Sequence, residues 1–163
     1  MNTSLEKYLH DHLAGAIFAT DLLGALCRKH ETDGFSEQLR SLLVEIQADR
    51  EELAGIANAL GVAPGGMKEN MARFMEKLSR PKLIGAGDDV FSSFEACETL
   101  ALGVLGKLAL WSALSSVAGV DINDDDLARL KGRAQEQHAV LEKLRLDLGA
   151  VALGGGGGTP AGG

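Results

Sequence analysis

Apolar side chains recur at steps of three and four residues through most of this chain, which is the spacing of one buried face of an α-helix. The stretches with this pattern span residues 4–30, 36–60, 90–118 and 124 to about 153. Gly61 follows the second stretch as a helix end signal, and Asn123 precedes the last one as an N-cap residue. The pattern therefore predicts four long helices.

The connection between the second and third helices is long and contains helix breakers. Residues 62–89 include Pro64-Gly65-Gly66, Pro81 and Gly85-Ala86-Gly87. Between these breakers a single apolar stripe predicts a short amphipathic helix, formed by Met67, Met71, Phe74, Met75 and Leu78. This methionine-rich helix either covers the core or presents a groove-binding face to another subunit, and core use is favoured because an exposed apolar stripe promotes aggregation.

The loop lengths select a topology. Only a few residues join the first two helices and the last two, so each pair is predicted to form an antiparallel hairpin. The long middle connection can return along the bundle and let the third helix run parallel to the second. We therefore expect an all-α four-helix bundle of two antiparallel hairpins joined by a long crossover that carries the short helix. The domain is predicted to span 1–153, with a flexible Gly-rich tail at 154–163.

Composition excludes several classes of function. The chain has 163 residues and a formal net charge of -7, which disfavours binding to nucleic acid or to an anionic membrane surface. The stretch 99–120 is apolar apart from Lys107, but a lysine near the middle of a membrane span costs about 3 kcal/mol, so we expect a buried helix. Cys27 and Cys97 form no Cys-x-x-Cys pair, and we expect reduced thiols in a cytoplasmic protein.

Helix order, crossover position and polar residues on the core faces resemble the ferritin-like superfamily, and in layout the small ferritin-like proteins of the YciE/YciF type. This resemblance implies a dinuclear iron or manganese centre. In such a centre two helices each supply one Glu, and the other two each supply a Glu-x-x-His pair.

The candidate metal ligands are four carboxylates and one imidazole: Glu45, Asp49, Glu95, Glu98 and His138. Gln135-x-x-His138 has the spacing of the family but an amide in place of a carboxylate, and the second helix contains no His. Counting back from the hairpin loops places Glu98 near Arg145 and His138 nearer Val104. A metal ion needs several donors within about 2.0–2.6 Å, and these candidates do not fall in one layer.

Internal ion pairs offer another role for the same acids. Arg145 or Arg50 could neutralise Glu95, Glu98, Glu45 or Asp49 and thereby fix the register of the helices. His12 and His138 are expected to be structural, whereas His10 and His30 are expected to face solvent.

Two function classes and a weaker third follow from these residues. The first is a ferritin-like bundle protein that lacks an intact di-iron centre and any cofactor, self-associates, most simply as a homodimer, and has a structural, binding or stress-associated role. The alternative is a carboxylate-rich iron or manganese oxidoreductase with ferroxidase-like chemistry. The third is an adaptor that binds a partner through the methionine-rich helix. Whether the chain is an enzyme stays open at this stage.

Overall fold

The computed structural model describes residues 3–62, 67–77, 87 and 89–154. All regular structure within these ranges is helical, which confirms the prediction of an all-α protein. The five helices are α1 (Thr3–Lys29), α2 (Ser36–Ala59), α3 (Met67–Lys77), α4 (Val90–Leu114) and α5 (Asp124–Leu153). The predicted Gly-rich tail lies outside the described residues from position 155 onward.

Two helix boundaries form at the residues that the sequence marks for them. At the end of α2, Gly61 has φ +74°, and the amides of Gly61 and Val62 donate to the carbonyls of Asn58 and Ala57, each at 2.9 Å. This is the Schellman arrangement, which favours glycine at the left-handed position. At the start of α5, Asn123 Oδ1 accepts a hydrogen bond from the amide of Asp126 at 2.8 Å.

Helix α4 ends at Leu114 rather than near Ala118, where the apolar pattern placed its end. The Ser115 and Ser116 hydroxyls donate to the Ser112 carbonyl at 2.7 and 3.5 Å. Beyond Leu114 the backbone amides of Ser116 and Val117 donate three residues back, to Ala113 and Leu114, so the α-helical hydrogen bonding ends although the following residues are partly apolar.

The helices pack around a core that includes Trp111, whose side chain has no exposed surface. Helix α1 packs against α2, α3 and α4, while α5 packs against α4 and α2. On α3, Met71 and Met75 are half-buried, while the side chains of Met67 and Phe74, and all of Leu78, lie outside the described part.

Helix α5 runs antiparallel to both α2 and α4. Successive residues along α5 meet residues of decreasing number on each neighbour. The contacts that show this are Glu52 with Arg129 and Glu45 with Gln137 for α2, and Lys107 with Gln137 and Glu98 with Arg145 for α4.

The end of α1 is fastened to the beginning of α4. Lys29 Nζ donates to Ser92 Oγ at 2.7 Å and to two backbone carbonyl oxygens just before α4 at 2.6 and 2.8 Å. His30 Nε2 lies 2.9 Å from Ser93 Oγ. We call these four residues the clamp. Because it joins the C-terminal end of one helix to the N-terminal end of the other, α1 and α4 are antiparallel.

Two histidines that were expected to face solvent are buried, so that expectation is wrong. His10 is 8% exposed and His30 is 9% exposed. The ring of His30 has a partner at each nitrogen, with Asp33 Oδ2 2.5 Å from Nδ1 and Ser93 Oγ at Nε2. Satisfied nitrogens allow an imidazole to be buried, and sequence spacing does not reveal such partners.

Helix α4 is long and apolar enough to cross a membrane by length and composition alone. In the most apolar part of this helix, 39% of the residues are buried inside the protein. Core helices of soluble proteins have the same properties.

Candidate functional site

A buried carboxylate on α2 is surrounded by cationic and amide groups from α4 and α5. Asp49 is only 3% exposed. Its Oδ2 accepts hydrogen bonds from Lys107 Nζ and from Gln137 Nε2, the latter at 3.0 Å. Its Oδ1 is ion-paired with Arg133 Nη2, without the alignment of a hydrogen bond. Burial of this charge is therefore compensated on both oxygens.

Gln137 connects the buried carboxylate to a second acid. It is 1% exposed, its Oε1 accepts from Lys107 Nζ, and its Nε2 lies 3.3 Å from Glu45 Oε2. An ammonium group can only donate, so the amide oxygen must face Lys107 and the amide nitrogen must face the acids.

Glu52 continues this set of hydrogen bonds and ion pairs toward the protein surface. It accepts from Arg133 Nη2 and, through both oxygens, from Arg129 at 2.6 and 3.3 Å. The hydrogen bond from Arg129 lowers the pKa of Glu52, with help from Arg133 and against the effect of partial burial. We refer to the connected side chains as the polar network: Glu45, Asp49, Glu52, Lys107, Arg129, Arg133 and Gln137.

Lys107 is the cation at the centre of the polar network. Burial lowers its pKa, whereas the charge and hydrogen bond of Asp49 act in the opposite direction. An ammonium held between a carboxylate and an amide oxygen acts as a fixed counter-ion. It takes the place beside Asp49 that a metal ion would need.

The structure brings only two of the five candidate metal ligands close together. Glu45 and Asp49 share the Gln137 amide, whereas Glu95 and Glu98 are exposed on α4. His138 is half-buried on α5, where its charge contributes to lowering the pKa of Glu142 after the larger effect of the Arg145 hydrogen bond. Within the described residues, no three His, Cys, Asp or Glu side chains surround a point that could hold a metal ion. The arrangement does not match the two-metal donor set that the resemblance implied.

One of the two predicted arginine counter-ions pairs with an acid and the other does not. Arg145 Nη1 lies 3.4 Å from Glu98 Oε2, as the count from the hairpin loop placed it. Arg50 instead donates from Nη1 to the neutral Thr20 Oγ1 at 3.0 Å, and it forms no ion pair with any residue that the structure describes. Of the two alternatives, the structure therefore pairs Arg145 with an acid, and Arg50 with none among the described residues.

The cations that do neutralise Asp49 were missed from the sequence, although a signal was present. Lys107 is the only charge in an apolar stretch of α4, and Asp49 is the single acid in the heptad stripe of α2. Each is too polar for a buried face unless the other, or a similar group, lies opposite.

A cavity of about 560 Å³ adjoins the polar network between α1, α2 and α4. Its size falls in the range of small-molecule sites, about 300–1,000 Å³. Most of its wall is apolar, from side chains that include Phe18, Ile46, Leu53, Val104, Leu110 and Trp111. Asp49 and Arg50 both reach this wall, as does Lys107.

The α1 side of the cavity carries an aromatic and imidazole pair. The rings of Tyr8 and His12 lie edge to face with centroids 4.6 Å apart. Burial lowers the pKa of His12, and this effect exceeds the opposing effect of Asp11. A lowered pKa makes the His12 ring neutral at pH 7.

The two thiols lie in different surroundings. Cys97 is buried, and burial raises its pKa to about 11, so it is a protonated packing group as predicted. Cys27 is half-buried, and its pKa is also raised by burial, with opposing effects of Arg40 and Arg28. Burial thus favours the protonated form of both thiols.

Asp49 and Arg50, neighbours on α2, therefore belong to two adjoining features. Asp49 is the centre of the polar network, while Arg50 lies on the wall of the cavity.

No protein-family model, curated protein or solved structure matches this chain.

Proposed function

We propose that this protein is a ferritin-like helical bundle in which an ion-paired network replaces a dinuclear metal centre, and that it has a non-enzymatic, structural or binding role. The observation that carries this proposal is the position of Lys107. Its ammonium group lies directly on the buried Asp49 carboxylate, between α2, α4 and α5.

The directions of the helices support the ferritin-like arrangement. Helix α1 is antiparallel to α4 through the clamp and is joined to α2 by a short turn. Helix α5 is antiparallel to α2 and to α4. The long connection that contains α3 lies between the two hairpins, as in bundles with one crossover.

The charges of the polar network argue against a metal ion in the same place. Asp49 has both Lys107 and Arg133 as neighbours, so a divalent cation beside it would face two positive charges. Metal binding would require the ammonium of Lys107 to leave Asp49 and Gln137. Like charges at a few ångströms in a buried site repel strongly, so this exchange is unfavourable.

The alternative, a carboxylate-rich iron or manganese oxidoreductase, stays a prediction. It would need Glu95 and Glu98, which are exposed on α4, to join Glu45 and Asp49 around one point. The experiment below separates the two functions directly.

Elemental analysis of protein purified without chelators tests the proposal. We expect well under one iron or manganese ion per chain and no acceleration of ferrous oxidation over buffer. About two bound ions per chain would establish the oxidoreductase instead.

A stability measurement adds an independent test. If Lys107 is the counter-ion of Asp49, EDTA leaves the Tm of the wild-type protein unchanged, and Lys107→Gln lowers the Tm with or without EDTA. Lys143→Gln is the matched control, because Lys143 is an exposed partner of Asp147. A fall in the wild-type Tm on adding EDTA would contradict the proposal.

A further inference from the structure

The cavity between α1, α2 and α4 has an apolar body of a size that suits a small organic molecule. Its volume is about 560 Å³, and the surfaces of Phe18, Leu53, Val104 and Leu110 contribute to it. An apolar molecule that fills such a space removes its own surface and that of the wall from water, which is the main favourable contribution to binding at sites of this kind.

Three glycines line the cavity. Gly15 of α1 and Gly103 and Gly106 of α4 all line the cavity. A Cβ atom placed on Gly103 or Gly106 would meet no atom within 4 Å, so no close backbone approach requires glycine at either position. Glycine within a helix lowers its stability relative to alanine. At the half-buried Gly106, a side chain would extend into the open space beside the helix.

One cationic side chain on the cavity wall has N–H groups that lack a hydrogen-bond acceptor among the described residues. Arg50 forms a single hydrogen bond within the described part of the chain, to the neutral Thr20 hydroxyl at 3.0 Å. The other lining cation, Lys107, is already bonded to Asp49 and Gln137. A guanidinium carries five N–H donors in a planar fork that matches a carboxylate. Most of the donors of Arg50 therefore have no protein acceptor among the described residues.

Arg50 shares the cavity wall with two carboxylates, Asp49 and Asp11. Asp49 lies on the same wall, but Lys107 and Arg133 compensate its charge. Asp11 lines the α1 side together with His12, whose pKa is lowered by burial. A positive charge beside apolar surface is stabilised when an anion pairs with it.

We propose that this cavity binds an organic monocarboxylate with an apolar body, such as a medium-chain fatty acid, and that Arg50 pairs with its carboxylate. The inference goes beyond the proposed function and is independent of it. Bound iron would overturn the proposed function and leave the cavity site in place, whereas the binding experiments below concern the cavity alone.

Binding is measured with decanoate as the probe, by calorimetry and by tryptophan fluorescence. Trp111 is the only tryptophan of the chain and lies in the cavity wall, so its emission reports on the cavity. We expect one decanoate per chain, with weaker binding of the neutral decanol and weakest binding of decylammonium. Equal affinity for decanoate and decanol, or no binding of either, would overturn the proposal.

Arg50→Gln tests the carboxylate partner. The glutamine side chain can still donate to Thr20 but has no charge, so decanoate binding is expected to weaken by about tenfold or more while decanol binding is unchanged. Arg40→Gln is the control, because Arg40 is an exposed arginine of the same helix outside the cavity wall. An unchanged ratio of the two affinities in Arg50→Gln would contradict the assignment.

Gly106→Leu tests the location. The leucine side chain extends into the open volume, and binding of both decanoate and decanol is expected to be lost. Gly132→Leu is the control, since Gly132 is a helical glycine of α5 that also has no atom within 4 Å of a Cβ and lies outside the wall. Full binding to folded Gly106→Leu, as judged by its helical circular dichroism, would exclude the cavity as the site.

Discussion

Asp49 and Arg50 are consecutive residues of α2 with different surroundings. The Asp49 carboxylate lies beside two cations, whereas the Arg50 guanidinium forms no ion pair with any residue that the structure describes. Asp49 is surrounded by two cations and an amide inside the polar network. Arg50 bonds to one neutral hydroxyl beside the open cavity. Since a helix turns by about 100° per residue, adjacent positions face different neighbours.

This difference separates a carboxylate that is ion-paired inside the protein from a guanidinium whose one described partner is a neutral hydroxyl. In the polar network every central group has partners inside the protein, so its geometry fixes how α2, α4 and α5 align. In the cavity, the Arg50 guanidinium has one neutral partner, the Thr20 hydroxyl, in the described part of the chain. The following substitutions test whether the two regions respond as differently as their partners suggest.

The largest effect is expected at the centre of the polar network. Asp49→Ala leaves the largely buried Lys107 without its carboxylate and Arg133 with Glu52 alone, and the free energy of unfolding should fall by about 3 kcal/mol. Urea unfolding monitored by circular dichroism measures this. Asp147→Ala, which breaks an exposed pair with Lys143, should cost far less.

The pair itself can be isolated by a double-mutant cycle. Asp49→Leu combined with Lys107→Met removes both charges, and the loss should be smaller than the sum of the two single losses. Additive losses, or a loss below about 1 kcal/mol in Asp49→Ala, would show that the polar network does not specify the fold.

A substitution in the cavity wall is expected to raise the free energy of unfolding rather than lower it. Gly106→Ala adds a methyl group to empty space within a helix, and the unfolding free energy should rise by about 0.5–1 kcal/mol. Gly61→Ala is the contrasting control, because Gly61 has φ +74° and alanine there should destabilise. Differential scanning calorimetry compares the two. A loss of stability in Gly106→Ala would mean that the position is not open.

Acid pH should weaken the outer part of the polar network. The pKa of Glu52 is lower in the folded protein than in the unfolded chain. Its contribution is therefore fully present above the ordinary glutamate value, about 4.3, and is lost as the pH falls through the lower folded value. Glu52→Gln should cost less than about 1 kcal/mol at pH 7, because the site is partly exposed.

The pH profile of Tm checks this prediction for Glu52. The difference between wild-type protein and Glu52→Gln should shrink toward zero on acidification, whereas the exposed Glu51→Gln should follow the wild-type curve throughout. A difference that stays constant down to low pH would show that the lowered pKa of Glu52 does not contribute.

The smallest effect is expected at Arg50. Without ligand, Arg50→Gln should change the free energy of unfolding by no more than about 0.5 kcal/mol, since only a hydrogen bond to a hydroxyl is altered. Arg40→Gln should give a similar value in the same urea titration. A large loss at Arg50 would indicate an internal role and would remove the contrast with Asp49.

Local signals in the sequence were sufficient to predict which segments form helices. Gly61 and Asn123 mark boundaries through their own backbone and side-chain bonds, which involve only near neighbours in the chain. The end of α4 was misplaced because the apolar spacing continues past Leu114, whereas the backbone hydrogen bonds there change to partners three residues back.

The partners across helices were harder to predict. Glu98 and Arg145 belong to one hairpin, so counting from its loop located their contact. Asp49 meets residues of α4 and α5, and the relative stagger of helices from different hairpins depends on packing of the whole bundle. The cavity is even harder to predict from the sequence, because its volume depends on the distance between α1 and α4.

The clamp has a mechanical consequence for that separation. It joins α1 and α4 at Lys29 and Ser92, while Tyr8 and Trp111 border the cavity farther along the two helices. About 20 helical residues, or about 30 Å, separate the clamp from Tyr8 on α1 and from Trp111 on α4. Over that length, a tilt of a few degrees between the two helices at the clamp would change their separation beside the cavity by more than an ångström.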